Sequence, residues 1–600
     1  MSSLKEKIKS LLKDDVLFFD GAFGTYFSLL FNEEYCEIAN IKTPERVKKI
    51  HNEYAEAGAN LLRTNTFSAN RFHPEMDANS SEDVIRAGLQ IAHNVAASYK
   101  NCFACADIGP ISYGAYNENN LTDDDILSEY KRIIDIFLDA GAQIFVFETM
   151  SDISPLDKAI EYLNQKNSDV YIICQFAFRP DGYTKSAIGI ESIVKAFNKL
   201  PCDSIGFNCA SGPAHVLSHI KKAIKYAKKP LSALPNASFP SLYEGRQIYN
   251  KSEGYFVEIM LHMISLGVKF AGGCCGTTPL HIAALTNAAK KHKPIKYNEE
   301  SDENIIEYNK KVSKPKVDVF VELSPPTNGK LSGILNRCEL IEEIGIKNVT
   351  LPDSPLARTR MNPLIISSSI RQKTGLNTLV HLCCRDRNII ALQSDIMAGW
   401  AMGLRNLLCV TGDPVAAGGR DDIKSVFNLS SVNLMKLVSH MNKEMFEEDP
   451  INIYGAVNLT ANNFDSVLNR AEKKVEAGAI GFLSQPVYSS GDVERVKRFK
   501  EKINAKLYVG IMPPVTYNNA MFLNNEVPDI NIPDNIIEEF SKITDKSEAE
   551  EYGCKVVGKV AVEALEYADG LYLLPPFGRI SCVSRIVDYV NKNLVEDKDE

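Results

Sequence analysis

One unit recurs along the whole chain: a helix-forming stretch, a glycine able to cap it, a short apolar strand, and then a polar or Gly/Pro-rich loop. Ala57-Gly58-Ala59-Asn60-Leu61-Leu62-Arg63-Thr64-Asn65-Thr66-Phe67 is one instance, and Ala140-Gly141-Ala142-Gln143-Ile144-Phe145-Val146-Phe147-Glu148-Thr149 is another. Others begin at Gly267, Gly345, Gly403, Gly478 and Asp569-Gly570. Strands that alternate with helices at this spacing predict parallel sheets with right-handed crossovers. The chemically useful residue follows the strand each time, at Asn65, Glu148, Asn208-Cys209, Cys274-Cys275, Asp413 and Gln485. Eight-stranded α/β barrels collect their active sites from the carboxyl ends of their strands, so this placement favours barrels over a doubly wound sheet. Repetition of strand and helix does not show closure, and the doubly wound sheet stays as the alternative.

Length sets the number of units. Six hundred residues exceed one ordinary domain and suit two of barrel size. Residues 293 to 316 are polar, rich in Lys, Glu, Asp and Asn, with Pro294 and Pro315 near the ends. The expected architecture is therefore two (β/α)8 barrels of the TIM type, residues 1–292 and 317–600, joined by a polar linker. Hydrophobic residues at 45% and charged residues at 24% are the balance of a soluble globular protein. A formal charge of −9 argues against a nucleic-acid surface. No segment offers the roughly 20 apolar residues of a membrane span, so a cytoplasmic protein acting on small molecules is expected. The 14 cysteines are scattered in apolar segments, as reduced, buried thiols are.

Two cysteines break that pattern. Gly272-Gly273-Cys274-Cys275-Gly276-Thr277-Thr278-Pro279 sets adjacent thiols where a strand turns into a loop. Adjacent cysteines close a small, strained ring and are poor disulfide partners, but they can be two ligands of one soft metal. Cys209, at the strand end Gly206-Phe207-Asn208-Cys209, is the third thiol of choice. Three thiolates suit Zn²⁺ and leave its fourth tetrahedral position open. A thiol substrate entering that position would be ionised at neutral pH, which points to alkyl transfer to sulfur. The bland reading is three buried structural cysteines. Cys102 and Cys105, in an interior strand, read as core, and Cys383-Cys384 lacks a third thiol nearby.

Asp20-Gly21-Ala22-Phe23-Gly24-Thr25, His51 with Tyr54, Thr64-Asn65-Thr66-Phe67, Gly109-Pro110, Glu148-Thr149-Met150, Gly206 to Cys209, Pro235-Asn236-Ala237 and Gly272 to Pro279 resemble, in this order, the zinc-dependent homocysteine S-methyltransferases. The resemblance covers about residues 1 to 292. It implies that Cys209, Cys274 and Cys275 bind zinc, with homocysteine sulfur as the remaining ligand. It also implies that Asp20, Gly21 and Glu148 hold the amino-acid end of homocysteine, a role that suits a carboxylate facing an ammonium. Ala22 departs from the Gly-Gly pair that many members carry.

In the second half the signal moves to single polar residues within apolar strands. Val317-Asp318-Val319-Phe320-Val321-Glu322 ends a strand on a carboxyl group; partial burial would raise its pKa and suit it to general acid work, while a salt bridge or a solvated strand end is the bland alternative. Glu322-Leu323-Ser324-Pro325-Pro326, Val349-Thr350, His381-Leu382-Cys383, Val410-Thr411-Gly412-Asp413-Pro414, Ala477-Gly478-Ala479 with Ser484-Gln485, and Gly510-Ile511-Met512-Pro513 resemble methylenetetrahydrofolate reductase. The resemblance covers about residues 317 to 590 and implies a flavoprotein barrel. By it, Glu322 protonates the bridging nitrogen of methylenetetrahydrofolate, Asp413 stabilises the cation that accepts hydride from reduced FAD, and Gln485 holds the pterin. Thr350 and His381 match flavin-contacting positions, and Lys474 matches a phosphate partner; for His381 the alternative is a satisfied core histidine. Lacking a G-x-G-x-x-G fingerprint, the chain would bind its nucleotide at the barrel mouth.

Together the resemblances imply a bifunctional one-carbon enzyme with Zn²⁺ and FAD as cofactors. Its partners would be homocysteine, a methyl donor, methylenetetrahydrofolate and a reduced nicotinamide nucleotide or another electron donor, with room for a homo-oligomer. The competing reading keeps one half active and makes the other a binding or regulatory barrel.

Overall fold

A computed structural model describes residues 3–33, 35–111, 121–238, 241–243, 246–248, 253–291, 314–413, 425–527 and 530–594. Most of the segment read as a linker, Pro414 and the acidic end Glu596 to Glu600 lie outside them. The chain divides into two compact units, Met1–Glu300 and Ser301–Glu600.

How the repeat folds is plain at one unit. Thr122 caps the helix Asp123–Asp139, exchanging hydrogen bonds with Asp125, and Tyr130, Ile133, Ile134 and Phe137 form its buried stripe. At its end Gly141 takes a left-handed φ of 87°, and the amides of Gly141 and Ala142 return to the carbonyls of Leu138 and Phe137. A residue with a β-carbon would be strained there. The chain then enters the strand Ile144–Met150, which is buried along nearly its whole length, as strands covered on both faces are.

The strands of the first unit are β1 (Leu17–Phe18), β2 (Leu61–Arg63), β3 (Phe103–Ile108), β4 (Ile144–Met150), β5 (Tyr171–Phe176), β6 (Ser204–Asn208), β7 (Leu231–Leu234) and β10 (Val268–Ala271), with a two-stranded antiparallel pair, β8 (Ser241–Tyr243) and β9 (Arg246–Ile248), between the last two. The eight are parallel in the order β1-β10-β7-β6-β5-β4-β3-β2. A parallel bridge from Phe19 to Leu61 closes the ring. Side chains fill it: Phe19, Leu61, Cys105, Val146, Ile173 and Phe270 are fully buried in one cluster. Ile8 and Leu12 of the helix Leu4–Asp14 pack into that cluster, so the first helix adds to the barrel core.

The second unit is a closed parallel barrel of β11 (Asp318–Glu322), β12 (Asn348–Leu351), β13 (Asn377–Cys383), β14 (Asn406–Val410), β15 (Asn452–Val457), β16 (Ala479–Pro486), β17 (Lys506–Ile511) and β18 (Gly570–Leu573). Phe320, Leu379, Leu408, Tyr454, Leu483, Tyr508 and Tyr572 fill its interior. Closure decides between the two architectures the repeat allows: both halves are (β/α)8 barrels.

Candidate active sites

In the first barrel, β6 and β10 carry the three thiols to one place. Cys209 follows β6 with a left-handed φ of 53°, an uncommon conformation for a residue with a β-carbon, and Ala210 repeats it at 54°. Backbone hydrogen bonds hold this turn and the one after β10: Cys209 N donates to Leu234 O at 3.2 Å, and Cys274 N donates to Pro235 O at 2.8 Å. Thr277 Oγ1 donates to the Cys274 carbonyl at 2.7 Å. The sulfur atoms of Cys209, Cys274 and Cys275 all lie within 4.8 Å of one another, and those of Cys209 and Cys275 are 3.6 Å apart. A tetrahedron of Zn–S bonds of about 2.3 Å has edges of about 3.8 Å, so the thiols stand near the spacing a zinc ion would impose. For Cys274 the bond from Cys209 favours the thiolate, but the Cys275 contact and burial outweigh it and push the thiol up to about 12. Contacts with Cys274 and Cys275, together with burial, raise Cys209 as well. Crowded thiols of this kind keep their protons until a cation replaces them. Cys102, Cys105, Cys383 and Cys384 are buried free thiols, and no other metal-sized cluster occurs among the described residues.

Beside the thiols lies a buried charge network that sequence reasoning only half saw. Asp20, just after β1, and Glu148, on β4, are both buried. Between them is Arg63, the last residue of β2, itself 6% exposed. Its Nε donates to Asp20 Oδ1 at 2.7 Å and its amide to Asp20 Oδ2 at 2.9 Å. Nη1 reaches Glu148 Oε2 at 2.6 Å, while Nη2 donates to the carbonyls of Gly21 and Gly273 at 2.6 and 3.1 Å. Asn208 donates to the same Glu148 oxygen at 3.0 Å. Burial raises Asp20 to about 6 against the pull of Arg63, and it raises Glu148 too. Asp107, buried and next to Glu148, is raised well above the carboxylate range by burial and by Glu148. Gly21 is needed for space: a β-carbon would fall 2.7 Å from Thr277 Oγ1 and 2.8 Å from the Tyr54 hydroxyl. Ala22 is held by its backbone, donating to Thr277 Oγ1 at 3.0 Å and accepting from Tyr54 at 2.7 Å.

In the second barrel Glu322, Thr350, His381 and Gln485 lie in the carboxyl halves of their strands, and Asp413 follows one. Glu322 ends β11 in register with Thr350 of β12. The Tyr572 hydroxyl, from β18, donates to Glu322 Oε2. Burial raises Glu322, and the Tyr572 bond opposes it. Thr350 Oγ1 and His381 Nε2 are hydrogen-bonded at 2.5 Å, and burial lowers the histidine to about 3, so the ring is neutral. Asp413 follows β14, exposed, and accepts from Leu356 N at 2.7 Å. Gln485 is exposed on β16, with no hydrogen bond to its amide group among the described residues. Glu322 at the end of β11, Asp413 in the segment after β14 and Gln485 on β16 share no hydrogen bond among the described residues. Lys474, from the helix Phe464–Glu476, donates to the Ala456 carbonyl at 2.6 Å, and burial lowers it to about 8. That bond to β15 uses one of its three donors.

Arg63 and Tyr572 are the residues the sequence hid. Each ends or sits within an apolar strand, which was a signal of a kind, but their partners lie 43, 85 and 250 positions away. No helix among the described residues is long and apolar enough to cross a membrane.

Residues 17–289 match the family model for homocysteine S-methyltransferase, and residues 307–570 match that for methylenetetrahydrofolate reductase. A methionine synthase of Mycobacterium tuberculosis is 28% identical over 313 residues, 48% of this chain and 26% of that protein. Homocysteine S-methyltransferase 1 of Arabidopsis thaliana is 24% identical over 309 residues, 45% of this chain and 93% of that protein. A crystal structure of a metallated homocysteine methyltransferase from Escherichia coli is similar at a TM-score of 0.40 and 19% identity, over 47% of this chain and 99% of that one. The chain spans about a quarter of the length of the methionine synthases it matches. It joins a homocysteine S-methyltransferase domain to a methylenetetrahydrofolate reductase domain.

Proposed function

We propose that the first barrel transfers a methyl group to the sulfur of homocysteine, giving methionine, and that the second reduces 5,10-methylenetetrahydrofolate to 5-methyltetrahydrofolate. The observation that carries the reading is the cluster of Cys209, Cys274 and Cys275, three soft donors within 4.8 Å at the mouth of a barrel. These thiols would hold zinc, which when bound supplies the Lewis acidity that keeps a sulfur ligand ionised. In the transfer, the sulfur's electron pair forms the new S–CH₃ bond, and the pair of the broken bond leaves with the donor.

Asp20 and Glu148 would face the substrate ammonium, with Arg63 setting the charge balance. If Asp107 holds a proton, two carboxylates and one guanidinium leave one net negative charge, which an ammonium neutralises. In a site this buried, such neutralisation favours an amino acid over a neutral thiol.

In the second barrel Glu322, raised by burial, would carry the proton given to the ring nitrogen of the folate. Tyr572 fixes its orientation. Asp413 and Gln485, exposed on the same rim, would face the cation and the pterin amide. Thr350 and His381 would line the flavin, whose role when bound is to deliver hydride.

The test is an assay of methionine formation from homocysteine, with 5-methyltetrahydrofolate, S-methylmethionine and S-adenosylmethionine as rival donors. It is paired with reoxidation of dithionite-reduced flavin by methylenetetrahydrofolate. Methionine from none of the donors would refute the first assignment, and absence of flavin even after FAD is supplied would refute the second.

A further inference from the structure

A cavity of about 500 Å³ opens beside Glu322, and two arginines line it. Arg337 comes from the helix Ser332–Glu343, and Arg360 from the segment after β12. Neither makes an ion pair among the described residues. Arg360 donates to the Pro325 carbonyl at 3.4 Å, its Nε has no partner, and its half-buried guanidinium is lowered by burial with no acid to offset the cost. Arg337 packs against the loop after β18, where a β-carbon on Gly578 would fall 2.8 Å from its Cζ. Apolar wall comes from Met512, Phe522 and Phe577. Glu322 lines the same cavity as the two arginines.

A half-buried guanidinium without a counter-ion is paid for only when an anion arrives, and its fork matches a carboxylate. The cavity therefore suits a ligand with its reacting end at Glu322, a flat aryl middle against the aromatic wall, and an anionic far end. We propose that Arg337 and Arg360 form a carboxylate-recognising subsite for the glutamate tail of the folate substrate. This rests on the reductase reading of the second barrel. The shared chemistry is anion recognition, and the phosphates of a nicotinamide nucleotide are the other source of it.

The experiment uses the full-length, flavin-loaded protein. Equilibrium Kd values are measured for tetrahydropteroate, which has no glutamate, for tetrahydrofolate with one and with three glutamates, and for reduced nicotinamide nucleotide. Wild type, Arg337→Gln and Arg360→Gln are compared, with flavin content reporting the fold. The unmutated protein should bind the glutamate-bearing forms more tightly than tetrahydropteroate. Each substitution should weaken the glutamate-bearing forms about tenfold, the loss typical of a charge-assisted hydrogen bond, and leave tetrahydropteroate at its wild-type Kd. Equal weakening of all folates, or no weakening, would overturn the proposal, as would a loss confined to the nucleotide. Wild-type protein whose reduced flavin is not reoxidised by methylenetetrahydrofolate would overturn the reductase reading instead, a result read without any variant.

Discussion

Arg63 Nη1 lies 2.6 Å from Glu148 Oε2 while the same guanidinium holds Asp20 through Nε at 2.7 Å. One cation thus sits between the two carboxylates expected to meet the substrate's ammonium. Its Nη2 also ties together the carbonyls of Gly21 and Gly273, so it braces the loop leading to Cys274.

Arg63→Gln leaves two buried carboxylates without their counter-charge. Breaking a buried pair in this way costs about 3 to 5 kcal/mol. The denaturation midpoint of the first barrel should fall accordingly. Arg63→Lys keeps the charge but not the fork, and should lie between the variant and wild type. A midpoint unchanged in Arg63→Gln would show that the network contributes nothing to stability.

Homocysteine binding should weaken as the pH falls through about 6. Burial raises Asp20 to that value; the ionised form is the one that attracts an ammonium, so the attraction is present above about 6 and is lost below it. The KM for homocysteine, measured from pH 5 to 8, would read this directly. In Asp20→Asn the same limb should disappear.

Cys275→Ala should lower bound zinc, by metal analysis of the purified protein, and abolish methionine formation. Folate reduction by the other barrel should persist, and an unchanged circular dichroism spectrum would show that the first barrel is still folded. Full zinc content in that variant would remove Cys275 from the ligand set.

The Glu322–Tyr572 pair makes a prediction with a definite sign. A general acid works while protonated, so folate reduction should fall as the pH rises through the Glu322 pKa, which burial holds above the ordinary carboxylate value. The Tyr572 bond favours the charged form and opposes that shift. Tyr572→Phe should therefore move the basic limb of the pH–rate profile to higher pH. Glu322→Gln should lower the rate about 10²- to 10⁴-fold, the usual contribution of a positioned acid, with flavin binding kept.

Local pattern carried a good deal. The helix, Gly141, buried strand and polar loop that make one repeat depend on residues within a few turns of each other, which is why strand ends such as Glu148, Cys209 and Glu322 could be picked from the chain. The adjacent Cys274 and Cys275 were visible for the same reason. Closure was not local: it hangs on the bridge from Phe19 to Leu61 and on β11 meeting β18. Nor was the company each side chain keeps. Asp20, which the resemblance sets against the substrate, is also the partner of Arg63, and Lys474, matched to a phosphate partner, also donates to the Ala456 carbonyl. Periodicity records which residues face inward, because burial is a property of each position. Pairing of buried charges is a property of three-dimensional proximity, and Arg63, Glu148 and Tyr572 acquire their roles only when strands far apart in sequence close into a ring.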